Sequence, residues 1–528
     1  MQKPKTKHFL LVFAIHLIIA LGFYVGNLKA PYSSLSSDIQ NIIPVAQKFD
    51  NPELFKRDLY VNDINNVKYY TPFYVQSLRF IAKFTDNNYV QAVNVLNTVC
   101  HLLFGILWFF LIYKFVSNFW IALLFSFLLR GIVWLPGFEI WGIADLWAMM
   151  PRTLYIALFP IPFLVLNKNF KALLLSAFLI GLIFNCHPIT GLGGILLYLT
   201  LLVLLVVIFK MKALLSVKNV LALHLALAIG MLPFVLTYFG KTSSIVNYDI
   251  NAFSEAFNAR IPAFFTQPLN YLKQWLHFKT LFYVVPILLY LFIKKSDKTH
   301  FKRAKLITVL TLVLVVLPSI SVYVEQFFNS VLNLNLRLSF QLIRAQKIAI
   351  VPSFFAMAYL LELLNNKINK NYLLPALFSV YAVLLIICKL SVFNSIPFVG
   401  DDLSRLILPN NLSVGSVNST KPLPVDKMAI YILENTNKDA VIFGGHHYRG
   451  ASKRSVILDS KGASMIIEGN PAQFIKWKKD QTTLANTKTI DQRIAVLSSF
   501  GVNYIVTKKK YPLEIIHIEG NLKLYKLQ

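Results

Sequence analysis

One carboxylate, Asp38, stands where the chain leaves its first hydrophobic segment, in a Ser-Ser-Asp-Ile-Gln run. A carboxylate at such a membrane exit can accept a proton from, or orient, a group on a molecule that lies on the membrane. Ser-Ser-Asp ahead of an apolar turn is also typical of a helix N-cap. The residue types leave both interpretations open, a reacting carboxylate and a helix cap.

Two further acids, Glu139 and Asp145, lie among tryptophans in a short segment that ends at Arg152. A charge at membrane depth is unfavourable unless it has a partner or a function. An ion pair between Asp145 and Arg152 would satisfy both charges. The alternative is a carboxylate that supports a reacting centre or a divalent metal, with the guanidinium placed to bind a phosphate. Asp58, in the loop that Asp38 opens, is a third candidate for a supporting acid or metal ligand.

His187 and Arg344 stand at the ends of two other hydrophobic segments. The Pro-Ile-Thr-Gly sequence after His187 predicts a tight turn that aims the imidazole into a cavity. A histidine at a helix C-terminus can also simply complement the helix dipole. Arg344 suits a lipid-linked phosphate, and snorkelling toward lipid head groups explains it almost as well.

Near the C-terminus, two glycines precede His446 and His447, and Arg449 follows shortly after. Such a loop could bind a metal, but two adjacent histidines cannot readily share one ion. We therefore favour a loop that faces the membrane and contacts a substrate.

These residues belong to a chain that is 56% hydrophobic and only 14% charged, with a mean hydropathy of +0.58. Soluble domains are nearer one quarter charged, so the composition predicts an integral membrane protein. A net charge of +28 would suggest nucleic-acid binding in a soluble protein. Here the lysines and arginines fall mainly in short loops between hydrophobic segments, which indicates cytoplasmic loops and argues against a nucleic-acid partner.

About eleven hydrophobic segments are long enough to cross a bilayer. Basic residues near the start place the N-terminus in the cytoplasm, and alternate crossings then leave basic loops inside and nearly all acids outside. The predicted spans are Phe9–Gly26, Val93–Tyr113, Phe119–Leu135, Thr153–Leu166, Ala172–Asn185, Gly191–Phe209, Val220–Phe239, Leu281–Ile293, Leu306–Val322, Ile348–Leu364 and Leu373–Leu390.

This threading defines the domain organisation. Residues 1–391 are predicted to form the membrane domain and residues 392–528 a small α/β domain outside the membrane. The outside loops of the membrane domain are 29–92, 136–150 and 240–279. Two amphipathic stretches of the first loop could lie flat on the membrane surface, namely Asp38–Phe49 and Pro72–Phe84.

The tail alternates strand-like and helix-like stretches. Strands are predicted at Ala440–Phe443, Ser455–Leu458, Tyr504–Thr507 and Leu522–Leu527, and helices at Asp426–Asn435 and Pro471–Lys479. The expected fold class is therefore an α-helical polytopic membrane protein with a small C-terminal α/β domain.

Common cofactor motifs are absent from the sequence. It contains neither a Gly-x-x-x-x-Gly-Lys phosphate loop nor a Gly-x-Gly-x-x-Gly fingerprint, so no nucleotide cofactor is expected. Cys100, Cys186 and Cys388 lie in or beside hydrophobic segments without metal-ligand spacing. We interpret them as small core residues.

Several of these features together resemble the GT-C glycosyltransferases: a first outside loop with Ser37-Asp38, a second with Glu139 and Asp145, many spans and an outside α/β tail. That superfamily includes protein O-mannosyltransferases, the aminoarabinose transferase of lipid A and oligosaccharyltransferases. The segment Pro52–Asp58 and the turn after His187 are most similar to uncharacterised bacterial members. The first loop lacks the Asp-Glu doublet of many transferases. The tail lacks the Trp-Trp-Asp type signature, which argues against the oligosaccharyltransferase branch.

The resemblance implies glycosyl transfer from a polyprenyl-phosphate sugar, on the outer side of a bacterial inner membrane. Asp38 would act as general base on the acceptor hydroxyl or orient it. Arg152, Arg344 and His187 would stabilise the leaving phosphate. Such a donor needs no nucleotide, and a divalent metal stays open because metal use varies across the superfamily. The expected partners are the lipid-linked sugar, the bilayer and an acceptor glycan, lipid or protein.

Two other functions fit the same pattern. A flippase or transporter of a lipid-linked substrate would bind the phosphate head group in the same cavity without chemistry. A structural or assembly role would use the tail as a docking module. Asp38→Asn should stop an enzyme and leave a flippase largely active, whereas an assembly factor should depend on the residues after Leu390.

Overall fold

The structure is a computed structural model and describes residues 6–68, 72–130, 150–240, 248–261, 263, 267–274, 283–293, 297–334, 336–368, 370, 372–387 and 422–527. Glu139 and Asp145 lie outside the described residues, as does the predicted domain boundary between residues 391 and 392. The predictions for those positions therefore stay predictions.

The described part before residue 388 is helical. It begins with α1 (Thr6–Gly26), α2 (Ser37–Asp50), α3 (Pro72–Ala82), α4 (Tyr89–Val116), α5 (Phe119–Leu128), α6 (Pro151–Leu158), α7 (Pro160–Val165) and α8 (Phe170–Phe184). It continues with α9 (Pro188–Phe209), α10 (Val217–Phe239), α11 (Ile250–Arg260), α12 (Pro268–Gln274), α13 (Val285–Phe292), α14 (Lys298–Leu332), α15 (Ser339–Leu342), α16 (Ile350–Ile368) and α17 (Leu373–Ile387). The 3₁₀ segment Ile343–Ala349 joins α15 to α16.

Six of the described helices are long and apolar enough to cross a membrane, and several shorter helices are also apolar. The long ones are Thr6–Gly26, Tyr89–Val116, Pro188–Phe209, Val217–Phe239, Lys298–Leu332 and Ser339–Ile368. The shorter ones are Phe119–Leu128, Pro151–Val165, Phe170–Phe184 and Leu373–Val383. Each predicted span overlaps one of these helices or α13. The prediction of a polytopic integral membrane protein is confirmed.

The spanning helices differ in how much of their surface other helices cover. In the most apolar stretch of α4, 56% of the residues are buried, against 17% in that of α10. A helix that is hydrophobic on all sides and largely uncovered suits contact with lipid. We therefore place α4 in the centre of the bundle and α10 at its periphery.

The two amphipathic helices of the first loop have different surroundings. Helix α2 is buried from Ile39 to Gln47, because it packs against α3 and against two helices of the tail. The prediction that Asp38–Phe49 lies flat on the membrane surface is therefore wrong. At the end of α3, Phe80 and Phe84 are 62% and 74% exposed. A position of Pro72–Phe84 on the membrane surface stays a prediction.

The tail is a small α/β domain. Its helices are α18 (Pro424–Asn435), α19 (His447–Ser452), α20 (Ser460–Ile466), α21 (Pro471–Ala485) and α22 (Ile490–Ser499). Its strands are β1 (Val441–Phe443), β2 (Ser455–Ile457), β3 (Tyr504–Thr507), β4 (Ile515–Glu519) and β5 (Leu522–Lys526). All four predicted strands and both predicted helices are confirmed, and α19, α20, α22 and β4 are additional.

The five strands form one mixed sheet in the order β2-β1-β3-β5-β4. Strand β1 runs parallel to β2 and β3, whereas β5 runs antiparallel to β3 and β4. Apolar side chains of α18, including Met428 and Ile432, pack on Ile442, Val456 and Leu524 of this sheet. The tail thus has a core of its own.

Buried polar contacts fix the tail to the first loop. The fully buried Arg449 donates from Nε to Asp58 Oδ2 at 2.7 Å, and from a second nitrogen to Asp459. Tyr60 packs its ring against this guanidinium, 4.9 Å from the ring centre, and its hydroxyl donates to the carbonyl of Asp459. A buried ion cluster is tolerated only when all its partners are in place. The cluster therefore holds loop and tail in one arrangement.

Candidate functional site

A cavity of about 340 Å³ opens between the helical bundle and the tail. Its walls come from the starts of α2, α6 and α9, the end of α11, the segment that joins α15 to α16, and tail residues 461–468. The charged and imidazole side chains in its described lining are Asp38, Arg152, His187, Arg260, Arg344, Lys347, Lys461 and Glu468. The cavity thus brings together four of the predicted site residues from four separate parts of the sequence.

Positive charge predominates in this lining. Five of the described lining residues are arginine or lysine, and Asp38 and Glu468 are the acids among them. An excess of cations inside a concave site raises the local concentration of anions. Guanidinium and ammonium groups are the side chains that bind phosphate best. The cavity is therefore suited to an anionic ligand such as a phosphate.

Helix α2 presents Asp38 to the cavity. The N-cap of this helix is Ser36, whose Oγ accepts the N–H of Ile39 at 3.4 Å. The interpretation of Asp38 as the cap is therefore wrong, and its carboxylate lies in the first turn and lines the cavity. Negative charge is favourable there, because the helix N-terminus carries a partial positive charge.

Lys461 of the tail pairs with Asp38. Its Nζ lies 2.7 Å from Asp38 Oδ1, and the two side chains are 37% and 36% exposed. Burial alone would raise the pKa of Asp38, but the charges of Lys461, Arg152 and Arg344 outweigh burial and lower it. The carboxyl group is therefore ionised at neutral pH.

Lys461 owes its position to the contacts that dock the tail. It is the second residue of α20, whose N-cap Asp459 accepts the N–H of Gly462 at 2.6 Å. The other carboxylate oxygen of Asp459 binds Arg449, which in turn binds the first loop. From the bundle side, Arg260 Nε donates to the carbonyl of Ser460 at 2.7 Å. Contacts from both sides thus hold the helix that carries Lys461.

Arg152 enters the cavity from the start of α6. The N–H of Met150 donates to Thr153 Oγ1 at 3.0 Å and closes the first turn of this helix. Pro151 occupies the first helical position, where its missing N–H has no cost. Arg152 follows it and lines the cavity. The predicted ion pair with Asp145 lies outside the described residues.

His187 is the N-cap of α9 and not the last residue of α8. Its Nδ1 accepts the N–H of Thr190 at 3.1 Å. An acceptor nitrogen carries no proton, so the neutral imidazole has its proton on Nε2 and can donate there. The interpretation of His187 as a cation at a helix C-terminus is therefore wrong.

A buried asparagine fixes the corner that carries His187. Asn185 Nδ2 donates to the carbonyl of Gly230 at 2.8 Å, and its Oδ1 accepts the N–H of Phe234 at 2.7 Å. These backbone groups are four residues apart in α10, so the side chain bridges them much as a helical hydrogen bond would. The helices approach closely because Gly181 lacks a side chain: a Cβ there would lie 2.2 Å from the Leu227 carbonyl oxygen.

Arg344 and Lys347 lie in the 3₁₀ segment Ile343–Ala349. A 3₁₀ helix has three residues per turn, so side chains three positions apart share a face. Both line the cavity, and Lys347 is only 5% exposed. Arg344 packs over the ring of Phe340 at 5.8 Å, and its Nη1 donates to Gln341 Oε1 at 3.4 Å.

Four predicted site residues are not part of the described lining of this cavity. Asp58 and Arg449 form the buried ion pair between the first loop and the tail, which corrects their assignment as supporting acid and substrate contact. His446 and His447 stand at the start of α19 and do not line the cavity. Burial lowers the pKa of both, that of His447 to about 4. They are therefore neutral and add no charge that could hold a phosphate.

The described residues contain no group of three or more His, Cys, Asp or Glu side chains that could hold a metal ion. Glu139 and Asp145, the other predicted metal ligands, lie outside the described residues. The acids in the described lining of the cavity are Asp38 and Glu468. Lys461 binds Asp38, and the hydroxyl of Tyr238 donates to Glu468.

The sequence did not predict four of the seven charged side chains in the described lining of the cavity. No local motif marks the four residues, which are Lys461, Lys347, Arg260 and Glu468. The chain has 52 lysines and arginines, and nothing in the sequence distinguishes the three cations of this set from the others. The one usable signal is Asp459 ahead of Ser460, because aspartate commonly begins a helix. It predicts where α20 starts but not that Lys461 meets a residue 423 positions earlier.

Comparison with known proteins identifies a fold and no sequence relative. No family model and no curated protein matches the chain. The structure of ArnT from Cupriavidus metallidurans bound to undecaprenyl phosphate matches with a TM-score of 0.53 and 12% identity, over 99% of each chain. The apo state of that ArnT matches with a TM-score of 0.51 and 11% identity, over 98% of this chain and 97% of the other. The chain has a GT-C-like fold.

The GT-C-like fold includes both parts of the molecule. The match to ArnT with undecaprenyl phosphate covers 99% of this chain and therefore spans the helical bundle and the α/β tail alike. The expected fold class is confirmed. At this level of identity the likeness concerns the fold alone, and function depends on the chemistry of the site.

Proposed function

We propose that the protein transfers a sugar from a polyprenyl-phosphate donor to an acceptor on the extracytoplasmic side of the membrane. The observation that carries this proposal is a single cavity in which an ionised Asp38 faces Arg152, Arg344 and Lys347. Cations alone would serve to bind an anion. A carboxylate beside them adds a group that can take a proton during a reaction. The GT-C-like fold supports this reaction class by analogy.

The proposed donor is a lipid-linked sugar phosphate. One ArnT structure holds undecaprenyl phosphate, and the cationic lining of the cavity suits a phosphate head group. A second cavity of about 260 Å³, lined almost wholly by apolar side chains, lies further along α9 at Leu197 and along α16 at Val351. Apolar walls of this kind suit part of a prenyl chain.

In the proposed reaction, the acceptor hydroxyl oxygen attacks the anomeric carbon of the sugar. The bond between that carbon and the phosphate oxygen breaks, and its electron pair leaves with the phosphate. Asp38 orients the hydroxyl and accepts its proton, while Arg152, Arg344 and the Nε2–H of His187 stabilise the leaving phosphate. The products are the glycosylated acceptor and polyprenyl phosphate, and no nucleotide takes part.

The proposed location is the inner membrane of a bacterium, with the N-terminus in the cytoplasm. In this orientation the cavity, the first loop and the tail lie outside the cytoplasm. The basic start of α14, with Lys298, Lys302 and Lys305, then faces the cytoplasm, as the distribution of positive charge favours. The acceptor, a glycan, a lipid or a protein, reaches the cavity from outside.

The substitution Asp38→Asn tests this function against a flippase. It removes the proton acceptor but keeps the size of the side chain, so we expect sugar transfer to fall by about 10²-fold or more. Binding of the lipid phosphate should persist. The measurement is release of polyprenyl phosphate from a radiolabelled lipid-linked sugar by the full-length protein in proteoliposomes.

The matched control is Asp63→Asn, because Asp63 is an exposed residue of the same loop that caps the short 3₁₀ turn Ile64–Asn66, and asparagine caps equally well. This variant should transfer sugar at the unmodified rate. Lipid flipping that continues in Asp38→Asn, with no sugar transfer by the unmodified protein, would instead support the flippase.

A further inference from the structure

The ion pair between Asp38 and Lys461 joins the two parts of the molecule inside the cavity. The two residues are 423 positions apart, and Nζ to Oδ1 measures 2.7 Å. Lys461 comes from the tail, whereas Arg152, His187, Arg344 and Lys347 all come from the bundle. The tail thus contributes a cation to the site, whereas the other residues that could bind a phosphate belong to the membrane domain.

Lys461 has more hydrogen-bonding capacity than Asp38 uses. An ammonium group carries three N–H donors, and Asp38 Oδ1 is the acceptor that the described residues supply. The side chain is 37% exposed and lines the cavity, so its other donors are open to a ligand there. The second oxygen of Asp38 is likewise accessible, since that side chain is 36% exposed.

The position of Lys461 is fixed from several directions. Asp459 caps its helix, Arg449 holds Asp459, and Arg260 of the bundle binds the carbonyl of Ser460. A cation held in this way does not have to be ordered when a ligand arrives, which favours binding. The buried contacts therefore give Lys461 a defined place beside the carboxylate.

We propose that Lys461 is a donor-binding residue that contacts the lipid-linked phosphate and Asp38 at the same time, so that the tail completes the active site. The proposal rests on the proposed function and names a further residue for it. It differs from a purely structural salt bridge, which would link the tail to the loop and make no contact with a ligand.

Sharing one ammonium couples the phosphate to the carboxylate. The phosphate and the carboxylate are both negative and both bind the ammonium group of Lys461, so each weakens the interaction of the other with Lys461. Bound phosphate also makes the neighbouring carboxylate a better proton acceptor, because it offsets the surrounding positive charge. Removal of the charge of Asp38 should in turn leave the ammonium wholly to the phosphate and strengthen phosphate binding.

A double-mutant cycle on the full-length protein in detergent tests this coupling, with binding of undecaprenyl phosphate as the measurement. Lys461→Met should weaken binding by about tenfold or more, as expected for a lost charge-assisted hydrogen bond. Lys461→Arg should retain most of the affinity. Asp38→Asn should bind several-fold more tightly, and this gain should disappear in the double variant.

The matched control is Lys476→Met, because Lys476 is also a tail lysine paired with an aspartate, Asp480, but lies away from the cavity. It should bind like the unmodified protein. Thermal unfolding of each variant shows whether weaker binding by Lys461→Met comes from misfolding, and Lys461→Gln, which also removes the charge, takes its place if Lys461→Met is unstable.

Two results are decisive against the proposal, and they have different meanings. Equal affinity of the unmodified protein and Lys461→Met, with no gain in Asp38→Asn, overturns the role of Lys461 and leaves the proposed function in place. Failure of the unmodified protein to bind undecaprenyl phosphate at all contradicts the proposed donor, and the role of Lys461 with it.

Discussion

At the scale of single residues, the cavity combines one carboxylate with several cations that alter its chemistry. The cations keep Asp38 ionised, since they lower its pKa more than burial raises it. A lower pKa also makes a carboxylate a weaker base. A phosphate that neutralises part of this charge would restore the basicity of Asp38 when the donor is bound. Such an arrangement suits a group that has to act only in the presence of substrate.

The pH dependence of sugar transfer tests this environment. A carboxyl group whose pKa is lowered stays ionised to a lower pH, so the acidic limb of kcat/KM should lie below the ordinary range of aspartate. Lys461→Met removes the largest of the charges that lower the pKa of Asp38. Its acidic limb should therefore move to higher pH, whereas Lys476→Met should leave the limb in place. An unchanged limb in Lys461→Met would contradict the account.

The sequence allowed prediction of the site residues that have local signals. Asp38 follows a hydrophobic segment, Arg152 follows a proline at a helix start, and His187 precedes one. Lys461 has no such signal, because its importance arises from a contact across 423 positions. The prediction of Asp58 as a site residue is wrong for a similar reason: its buried partner, Arg449, is 391 positions away in the sequence.

At the scale of elements, the site is assembled from helix ends. Asp38, Arg152 and His187 each stand at the start of a helix, where the chain turns and side chains can reach a common space. The 3₁₀ segment Ile343–Ala349 was not predictable, because its apolar pattern suits an ordinary helix. Packing accounts for this part of the site: a Cβ at Gly193 of α9 would lie 2.5 Å from the Ala345 carbonyl oxygen, so the two backbones are in close contact.

Removal of the buried guanidinium tests how the tail is held. Arg449→Met leaves Asp58 and Asp459 without their shared cation, and such a loss typically costs about 3–5 kcal/mol. We expect a lower midpoint of thermal unfolding and faster proteolysis within residues 422–527 of the full-length protein. Lys56→Met breaks an exposed pair with Glu53 and should have little effect. Equal protease resistance of Arg449→Met and the unmodified protein would contradict this account of the interface.

At the scale of the whole molecule, hydrophobic segments and loop charges were enough to predict a polytopic bundle with an α/β tail. They could not predict how the two parts meet. An apolar face such as that of α2 fits a membrane surface and a protein surface equally well, and its burial against the tail decides between them. The cavity exists because of that docking, so the sequence predicted lining residues of the bundle such as Asp38 and Arg152 but none of the tail residues that face them.

The orientation of the molecule is open to a direct test by cysteine labelling. Thr483 in the tail and Thr299 at the start of α14 are both exposed, and the native Cys100 and Cys186 are buried. With Cys388 replaced by serine in both variants, a membrane-impermeant maleimide applied to intact cells should label Thr483→Cys and should label Thr299→Cys only after the cells are opened. The reverse pattern would contradict the proposed orientation.

The central claim is that a lipid-linked phosphate binds beside Asp38 in the cavity between bundle and tail. The most direct measurement is a cryo-electron microscopy structure of the full-length protein with undecaprenyl phosphate. We predict phosphate density within hydrogen-bond distance, about 3 Å, of Arg152 or Arg344, with Asp38 beside it. Phosphate density at another place on the protein, with the cavity lacking lipid density, would contradict the claim.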